Sequence, residues 1–209
     1  MKMKISYAIT VCNEVVEIQK LIPYLLEHKR NEDNIVVLYD SKNGSKTIEQ
    51  FLRAKSINGE FSWYKDKFEG HFADWKNKLT NYCTGDYIFQ IDADETMSDY
   101  FLQSLPTLLD NNSEVDIFRV PRINTVEGLT SEHIQKWRWQ INDKGWINFP
   151  DYQWRIYKNN SKIKWKNKVH EILDGYDYVA ELPAEEEWCL YHPKTIEKQE
   201  KQNNYYNTL

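Results

Sequence analysis

The 209-residue chain predicts an α/β fold: a mostly parallel sheet flanked by helices, followed by a smaller region. Two observations carry this. Short apolar runs alternate with stretches of helical period over the first 95 residues or so, and such alternation implies parallel strands joined by crossovers. Thr10, Cys12, Glu14, Asp40, Asp92 and Asp94 then fall where the apolar runs end. In open parallel sheets ligands bind beyond the carboxyl ends of the strands.

Residues 4–11 are apolar enough for a buried strand, and Asn13 is placed to cap the helix that follows. Ile18, Leu21, Ile22, Leu25 and Leu26 give that helix one core-facing stripe. Ile35 to Tyr39 is a second buried strand. Ser45 can cap a second helix with the stripe Ile48, Phe51 and Leu52. Phe61 to Tyr64 reads as a third strand, and Phe72, Trp75, Leu79 and Tyr82 as the face of a third helix. Gly85 ends that connection before a fourth strand, Tyr87 to Ile91. A helix after Ser98 runs to about Leu109 with an interruption expected near Pro106, and Val115 to Val120 reads as a strand.

Residues 122–148 show no clear period, and a long irregular segment in a compact domain is usually functional or mobile. Lys162, Lys164, Lys166 and Lys168 alternate with Ile163, Trp165 and Val169, which predicts a half-buried strand with a basic face over 162–169. From Pro193 a polar helix or frayed tail is expected. Residues 1–110 and 111–209 are read as two halves of one domain.

Hydrophobic content of 41% and charged content of 28% describe a globular, soluble chain. A net charge of −5 argues against nucleic acid as the main partner. No apolar run approaches the roughly 18–20 residues of a membrane span, although peripheral membrane contact stays compatible. Met1-Lys2-Met3-Lys4 leads into a strand pattern rather than a signal peptide. Cys12, Cys83 and Cys189 show no metal-binding spacing, and an odd count fits reduced thiols, so a cytoplasmic location is expected.

The densest chemistry lies at Asp92-Ala93-Asp94-Glu95, where a strand runs into three acids within four residues. Buried carboxylates are costly without a compensating cation or ligand. Asp92 and Asp94 alternate along extended chain and can face the same way, as a pair of hard ligands for Mg²⁺ or Mn²⁺ does. An ordinary acidic turn explains the same residues. Asp40 before its Gly/Ser turn has the same two readings, a turn acceptor or a ligand contact.

The order of motifs is more specific. Ile5-Ser6-Tyr7-Ala8-Ile9-Thr10-Val11-Cys12-Asn13-Glu14 resembles the opening strand and Asn-Glu turn of family 2 glycosyltransferases. Ile35 to Ser45 resembles that family's second strand and Asp-rich Gly/Ser turn, and Phe72 to Leu79 its Ala-x-Arg-Asn helix. Gly85 to Glu95 is similar to its Gly-Asp-Tyr/Trp-Ile…Leu-Asp-Ala-Asp-Glu signature. Pro150-Asp151-Tyr152-Gln153-Trp154-Arg155, with Val169-His170-Glu171, resembles the branch of lipopolysaccharide-core β-glucosyltransferases.

That resemblance implies a GT-A fold and an inverting, metal-dependent transfer from a UDP-sugar, UDP-glucose among the candidates, to a saccharide or glycolipid hydroxyl. It implies Asp151 as the base and Asp92, Asp94 and His170 at a Mn²⁺ or Mg²⁺ site, with His192 the rival to His170. Thr10, Cys12, Glu14, Asp40, Lys76 and Asp92 are implied in donor binding, Asp40 by accepting the uracil N3–H. The family usually carries Arg where Lys76 stands; Lys keeps the charge without the planar fork. Glu171 is the next candidate base. Trp137, Trp139, Trp146, Trp154 and Trp165 suit both sugar stacking and core packing. The competing reading is a glycan-binding protein on a degenerate glycosyltransferase fold, which would bind saccharide without turnover. A nucleotidyltransferase is disfavoured, because residues 5–20 contain no Gly for a phosphate loop.

Overall fold

β1 (Ile5–Val11), β2 (Asn34–Asp40), β3 (Ser62–Asp66) and β4 (Tyr87–Asp92) are the four expected strands, joined by α1 (Val15–His28), α2 (Lys46–Lys55) and α3 (Phe72–Thr80). The computed structural model describes residues 3–206. β1 lies between β2 and β4 and is parallel to both, with Thr10 level with Leu38 on one side and Asp92 on the other. β1, β2 and β4 form because they are nearly continuous apolar runs buried on both faces, the pattern of a covered parallel sheet, whereas β3 is a more exposed edge strand. α1 buries Ile18, Leu21, Ile22 and Leu25 against this sheet. Truncating one such side chain to Ala typically costs about 2–5 kcal/mol.

Gly44 and Gly85 are required by close approach. A Cβ on Gly85 would lie 2.6 Å from the Ser6 nitrogen, and one on Gly44 would lie 2.1 Å from the Asp40 carbonyl oxygen. The first lets the chain enter β4 against β1; the second closes the turn after β2.

The second half builds the remainder: α4 (Asp99–Asn111), β5 (Ile117–Val120), β6 (Arg122–Glu127), α5 (Ser131–Trp137), β7 (Gln153–Lys158), β8 (Lys164–Lys166), β9 (Ile172–Asp174), β10 (Val179–Glu181), β11 (Leu190–Thr195) and α6 (Ile196–Tyr206). The main sheet has seven strands in the order β10-β5-β7-β4-β1-β2-β3. β7 is antiparallel to both β4 and β5 and so runs against the rest. That reversal places the start of β7, with Asp151 just before it, at the edge where β4 ends. β5 leaves the sheet at the same edge and continues into β6, which pairs with β11 in a separate two-stranded ribbon. A bridge between Thr96 and Tyr191 ties this ribbon to the turn after β4.

Several expectations are corrected in detail. Asn13 does not cap α1: its amide donates to the Cys12 sulfur, and the Glu14 carboxylate instead accepts the Cys12 and Asn13 backbone N–H groups. α4 is not interrupted at Pro106. The ring removes one backbone bond, but Phe101, Leu102, Leu105 and Leu109 are buried on the same helix and hold it together. Residues 122–148 contain β6 and α5 and are not wholly irregular. The strand expected over 162–169 is only β8, because Asn167 and His170 take positive φ angles of 75° and 54° and turn the chain. Pro193 lies within β11, paired with Thr125, and the terminal helix starts at Ile196.

Candidate active site

Glu95 is the hub of the site, and it is fully buried. After β4 the chain turns back, the Glu95 N–H donating to the Asp92 carbonyl at 2.9 Å while Glu95 Oε2 accepts the Asp92 N–H at 3.1 Å. From β7, Arg155 grips Glu95 at two points, Nε to Oε2 at 3.0 Å and Nη2 to Oε1 at 2.7 Å. The same Nη2 reaches Asp92 Oδ2 at 2.6 Å. From β6, Arg122 Nη1 donates to Glu95 Oε1 at 3.1 Å. Two guanidinium groups thus answer the acids that end β4, which is what allows these charges to be buried. Burial would raise the Asp92 carboxyl, but the Arg155 guanidinium and the Lys76 ammonium hold it down, at about 2.

Asp151 is fixed by three side chains from two strands, β6 and β7. Its Oδ2 accepts Arg122 Nε at 3.0 Å, Arg122 Nη2 at 2.8 Å and Asn124 Nδ2 at 2.8 Å. Its Oδ1 accepts only Gln153 Nε2, at 2.7 Å, among the contacts at hydrogen-bond distance in the described residues. A carboxylate offers about four lone-pair directions, so Oδ1 retains an open one. Burial pushes this carboxyl up, but Arg122, Asn124 and Gln153 together bring it below the usual carboxylate range. Asp151 is therefore ionised at neutral pH.

Asn124 connects Asp151 to the other acid. Its Nδ2 faces Asp151, so its Oδ1, 2.8 Å from His192 Nδ1, accepts a hydrogen from that ring nitrogen. The other ring nitrogen, Nε2, lies 3.4 Å from Asp94 Oδ2. An N–H on Nε2 would donate to that carboxylate, and a divalent cation would take the same nitrogen and oxygen as ligands. Asp94 Oδ2 is also 3.2 Å from Lys198 Nζ on α6, and the same ammonium lies 3.2 Å from Glu17 Oε1 on α1. Burial opposes ionisation of Asp94, yet His192, Lys198 and Lys194 hold its carboxyl far below the usual range. Lys194 donates to the Gln202 side-chain oxygen. Burial pushes the Lys194 ammonium down to about 8, with Arg122 and Lys198 adding to the fall against the pull of Asp94.

Lys76 is 4% exposed. Its ammonium lies 2.6 Å from Glu171 Oε1, 3.8 Å from Asp92 Oδ1 and 4.6 Å from the Trp165 ring centre. Glu171 thus reaches the edge of the acid cluster. His170, the neighbouring residue, is exposed on the turn between β8 and β9. Trp165 packs in the core with its Nε1–H on the Tyr157 hydroxyl, and Trp154 packs against Tyr176. Trp137, Trp139 and Trp146 are half-buried on the segment after β6, which is pinned to the site by an Asn124–Ile147 bridge.

At the ends of β1 and β2 the expected donor residues form a second group. Asp40 is 3% exposed. Its Oδ1 accepts the Lys42 and Phe68 N–H groups at 2.9 and 3.1 Å, and its Oδ2 accepts the Asn43 amide at 2.9 Å and the Cys12 thiol at 3.6 Å. Burial, with Asp40 and Glu14 nearby, pushes the Cys12 thiol up to about 12, so it stays a thiol. Asp40 therefore lies on the same sheet edge as Asp92, but with its carboxylate bound into its own turn. Thr10 stands level with Asp92 on the neighbouring strand.

No group of three or more His, Cys, Asp or Glu side chains able to hold a metal assembles among the described residues. Asp94 and His192 nonetheless suit a divalent cation shared with a diphosphate, because Mg²⁺ in such sites needs only one or two protein ligands plus phosphate oxygens. His192 Nε2 and Asp94 Oδ2, 3.4 Å apart, are a nitrogen and an oxygen of the kinds such a cation takes. Sequence reasoning assigned no role to Glu95, Arg122, Asn124, Arg155, Lys194 or Lys198. Arg155 and Glu95 sat within the quoted motifs; the other four carried no local signal.

A family model, Glycosyl transferase family 2, matches residues 6–176. The chain belongs to glycosyl transferase family 2. It is 23% identical over 175 residues to the SPbeta prophage-derived glycosyltransferase SunS of Bacillus subtilis (strain 168), over 83% of this chain and 36% of that protein. The glycosyltransferase SunS of Bacillus phage SPbeta matches to the same extent. This family 2 chain thus spans about a third of the length of the curated relatives it matches, at 36%. Among solved structures it resembles S. aureus TarS 1-349, with a TM-score of 0.61 and 13% identity over 91% of this chain and 60% of that one. The complex of TarS 1-349 with UDP-GlcNAc gives 0.61 and 15% over 92% and 59%. The architecture is therefore GT-A: a largely parallel central sheet with flanking helices. No helix among the described residues is long and apolar enough to cross a membrane.

Proposed function

We propose that this family 2 chain transfers a sugar from a UDP-linked donor to a saccharide or glycolipid hydroxyl with inversion, assisted by Mn²⁺ or Mg²⁺. One observation carries the reading. Asp92, Arg155, Glu95, Arg122, Asp151, Asn124, His192 and Asp94 form one continuous chain of polar contacts, so an ionised base candidate and the strand-end acids are held on one rigid frame. A glycan-binding module has no need of such a frame.

Asp94 and His192 are the residues that would hold the cation, which would supply counter-charge to the departing diphosphate. This prefers His192 over His170 for the site. Asp92, anchored by Arg155, is left to share that role or to hold the donor ribose. Asp151 takes the proton of the acceptor hydroxyl on Oδ1, its less occupied oxygen. A single displacement at the anomeric carbon then turns an α-linked donor into a β-glycoside. Asp40, Thr10, Cys12 and Glu14 frame the nucleoside side, and Lys76 acts through Asp92 and Glu171. The tryptophan-bearing segment tied to Asn124 marks the side from which the acceptor comes.

The donor class draws support from TarS, whose complex contains UDP-GlcNAc, and the lipopolysaccharide-core resemblance adds UDP-glucose. The test is a thermal-shift panel of UDP-sugars with and without Mn²⁺, with released UDP measured in parallel. Stabilisation by UDP or a UDP-sugar, together with UDP release, is expected. Saccharide binding with no UDP release would make the chain a glycan-binding protein instead.

A further inference from the structure

The strand–helix unit at the end of the chain carries two lysines with complementary positions. Lys198 spans the mouth of the site, 3.2 Å from Asp94 on the β4 side and 3.2 Å from Glu17 on the helix that follows β1. The crevice beyond adjacent parallel strand ends is where such sheets bind ligands. Lys194 is half-buried, and its one hydrogen-bond partner among the described residues is the neutral side chain of Gln202. No carboxylate pairs with it among those residues. Arg122 nearby is already committed to Glu95 and Asp151. Lys194 thus feels Asp94 only from beyond ion-pair distance, and holding an ammonium partly out of water with no carboxylate in contact is costly. An anion placed between β11, α6 and the end of β4 would complete the arrangement.

We propose that Lys194 and Lys198 are phosphate-binding residues that grip the donor diphosphate. This rests on the nucleotide-sugar reading above. Lys198 exchanges the Asp94 carboxylate for phosphate oxygens on a flexible stem, and Lys194 gains an anion in direct contact. In transfer, the bond from the anomeric carbon to the diphosphate oxygen breaks, and its electron pair stays on that oxygen. The acceptor oxygen forms the new bond, and its proton passes to Asp151. Two ammonium groups aimed at the departing oxygens meet the charge as it develops. The terminal helix then acts as one jaw of the donor site.

The test is calorimetric titration of UDP and of inorganic pyrophosphate in EDTA, at several salt concentrations, with folding checked by thermal unfolding. Lys194→Met and Lys198→Met should each weaken both ligands by about tenfold to a hundredfold, the value of a charge-assisted hydrogen bond. Their UDP affinity should also depend less on salt. Lys198→Arg should retain most of the affinity, which separates charge from disturbed packing. UDP affinity in the Met variants equal to or above that of the parent would overturn the proposal and leave Lys198 as a latch on Asp94. If the parent binds pyrophosphate through these lysines but gains nothing from the uridine, the inference stands and the UDP assignment falls. If the parent binds neither ligand in EDTA and none with Mn²⁺ restored, both fall.

Discussion

Arg155 and Glu95 form a two-point ion pair inside the protein, with both nitrogen–oxygen contacts at 3.0 Å or less. Neither side chain has more than 4% of its surface exposed. Removing one member of such a pair strands the other charge, and typically costs about 3–5 kcal/mol. Glu95→Ala should therefore lower the melting temperature markedly, at roughly 2–4 °C per kcal/mol for a chain of this size. Removing Glu69 from its exposed pair with Lys42 should change little. A Glu95→Ala protein that melts with its parent would show that Arg155 is satisfied without it.

The acids of the site also predict the acid limb of stability. The Asp92 carboxyl is lowered to about 2 and that of Asp151 is lowered as well. Both are protonated more readily in the unfolded chain, where Asp titrates near 3.9. Their contribution is complete above about pH 4 and is lost as pH falls, for Asp92 toward about 2. The stability gap between the parent and Asp92→Asn should be widest near neutrality and should close between about pH 4 and 2. A gap that is constant with pH would contradict the assigned ionisation.

These relationships show what the sequence could and could not reveal. β1, β2 and β4 were legible because strands buried on both faces are uninterrupted apolar runs. β7 was not, because Gln153-Trp154-Arg155-Ile156-Tyr157-Lys158 carries a charge at a buried position. Arg155 is tolerable there only because Glu95, 60 residues away in sequence, receives it. Glu95 looked like one more turn acid for the same reason. His192 could not be ranked above His170 until β6 and β11 paired, which brings Asn124 to it across 68 residues. The polar period of α6 gave no sign that Lys198 reaches back to Asp94.

Metal removal separates the two histidines. UDP affinity should fall in EDTA, and Asp94→Ala and His192→Ala should each abolish the part of the affinity that depends on Mn²⁺. His170→Ala should keep it. Affinity that survives EDTA and both substitutions unchanged would remove the cation from the reaction and leave diphosphate neutralisation to the lysines and arginines.

Asp40 needs a variant that respects its turn. Its carboxylate accepts the Lys42 and Phe68 N–H groups, so Asp40→Ala should cost about 1–3 kcal/mol of stability whatever its role in binding. Asp40→Asn keeps one acceptor oxygen for those groups and replaces the other with a donor. If Asp40 receives a uracil N3–H, Asp40→Asn should weaken UDP by about tenfold, the loss of one hydrogen bond to a charged group, with little change in melting temperature. Parent-like affinity would make Asp40 a turn residue only.

Asp151→Asn tests the chemical step itself. The amide can keep its oxygen toward Arg122 and Asn124, where the three donors converge. Its NH₂ then occupies the Oδ1 position and faces Gln153, whose own amide can turn over to present oxygen. The frame should survive, and the melting temperature should fall only modestly. What is lost is the open lone pair that accepts the acceptor's proton. Transfer should drop by about 10²–10⁴-fold. Donor affinity should stay close to the parent value, because Asp151 is joined to Asp94 only through Asn124 and His192. A transfer rate near that of the parent would remove the base role from Asp151 and pass it to Glu171, whose carboxylate sits against Lys76. A parallel fall in UDP affinity would instead show that the Asn124–His192 link transmits the change to Asp94, making Asp151 a positioning residue for the diphosphate site.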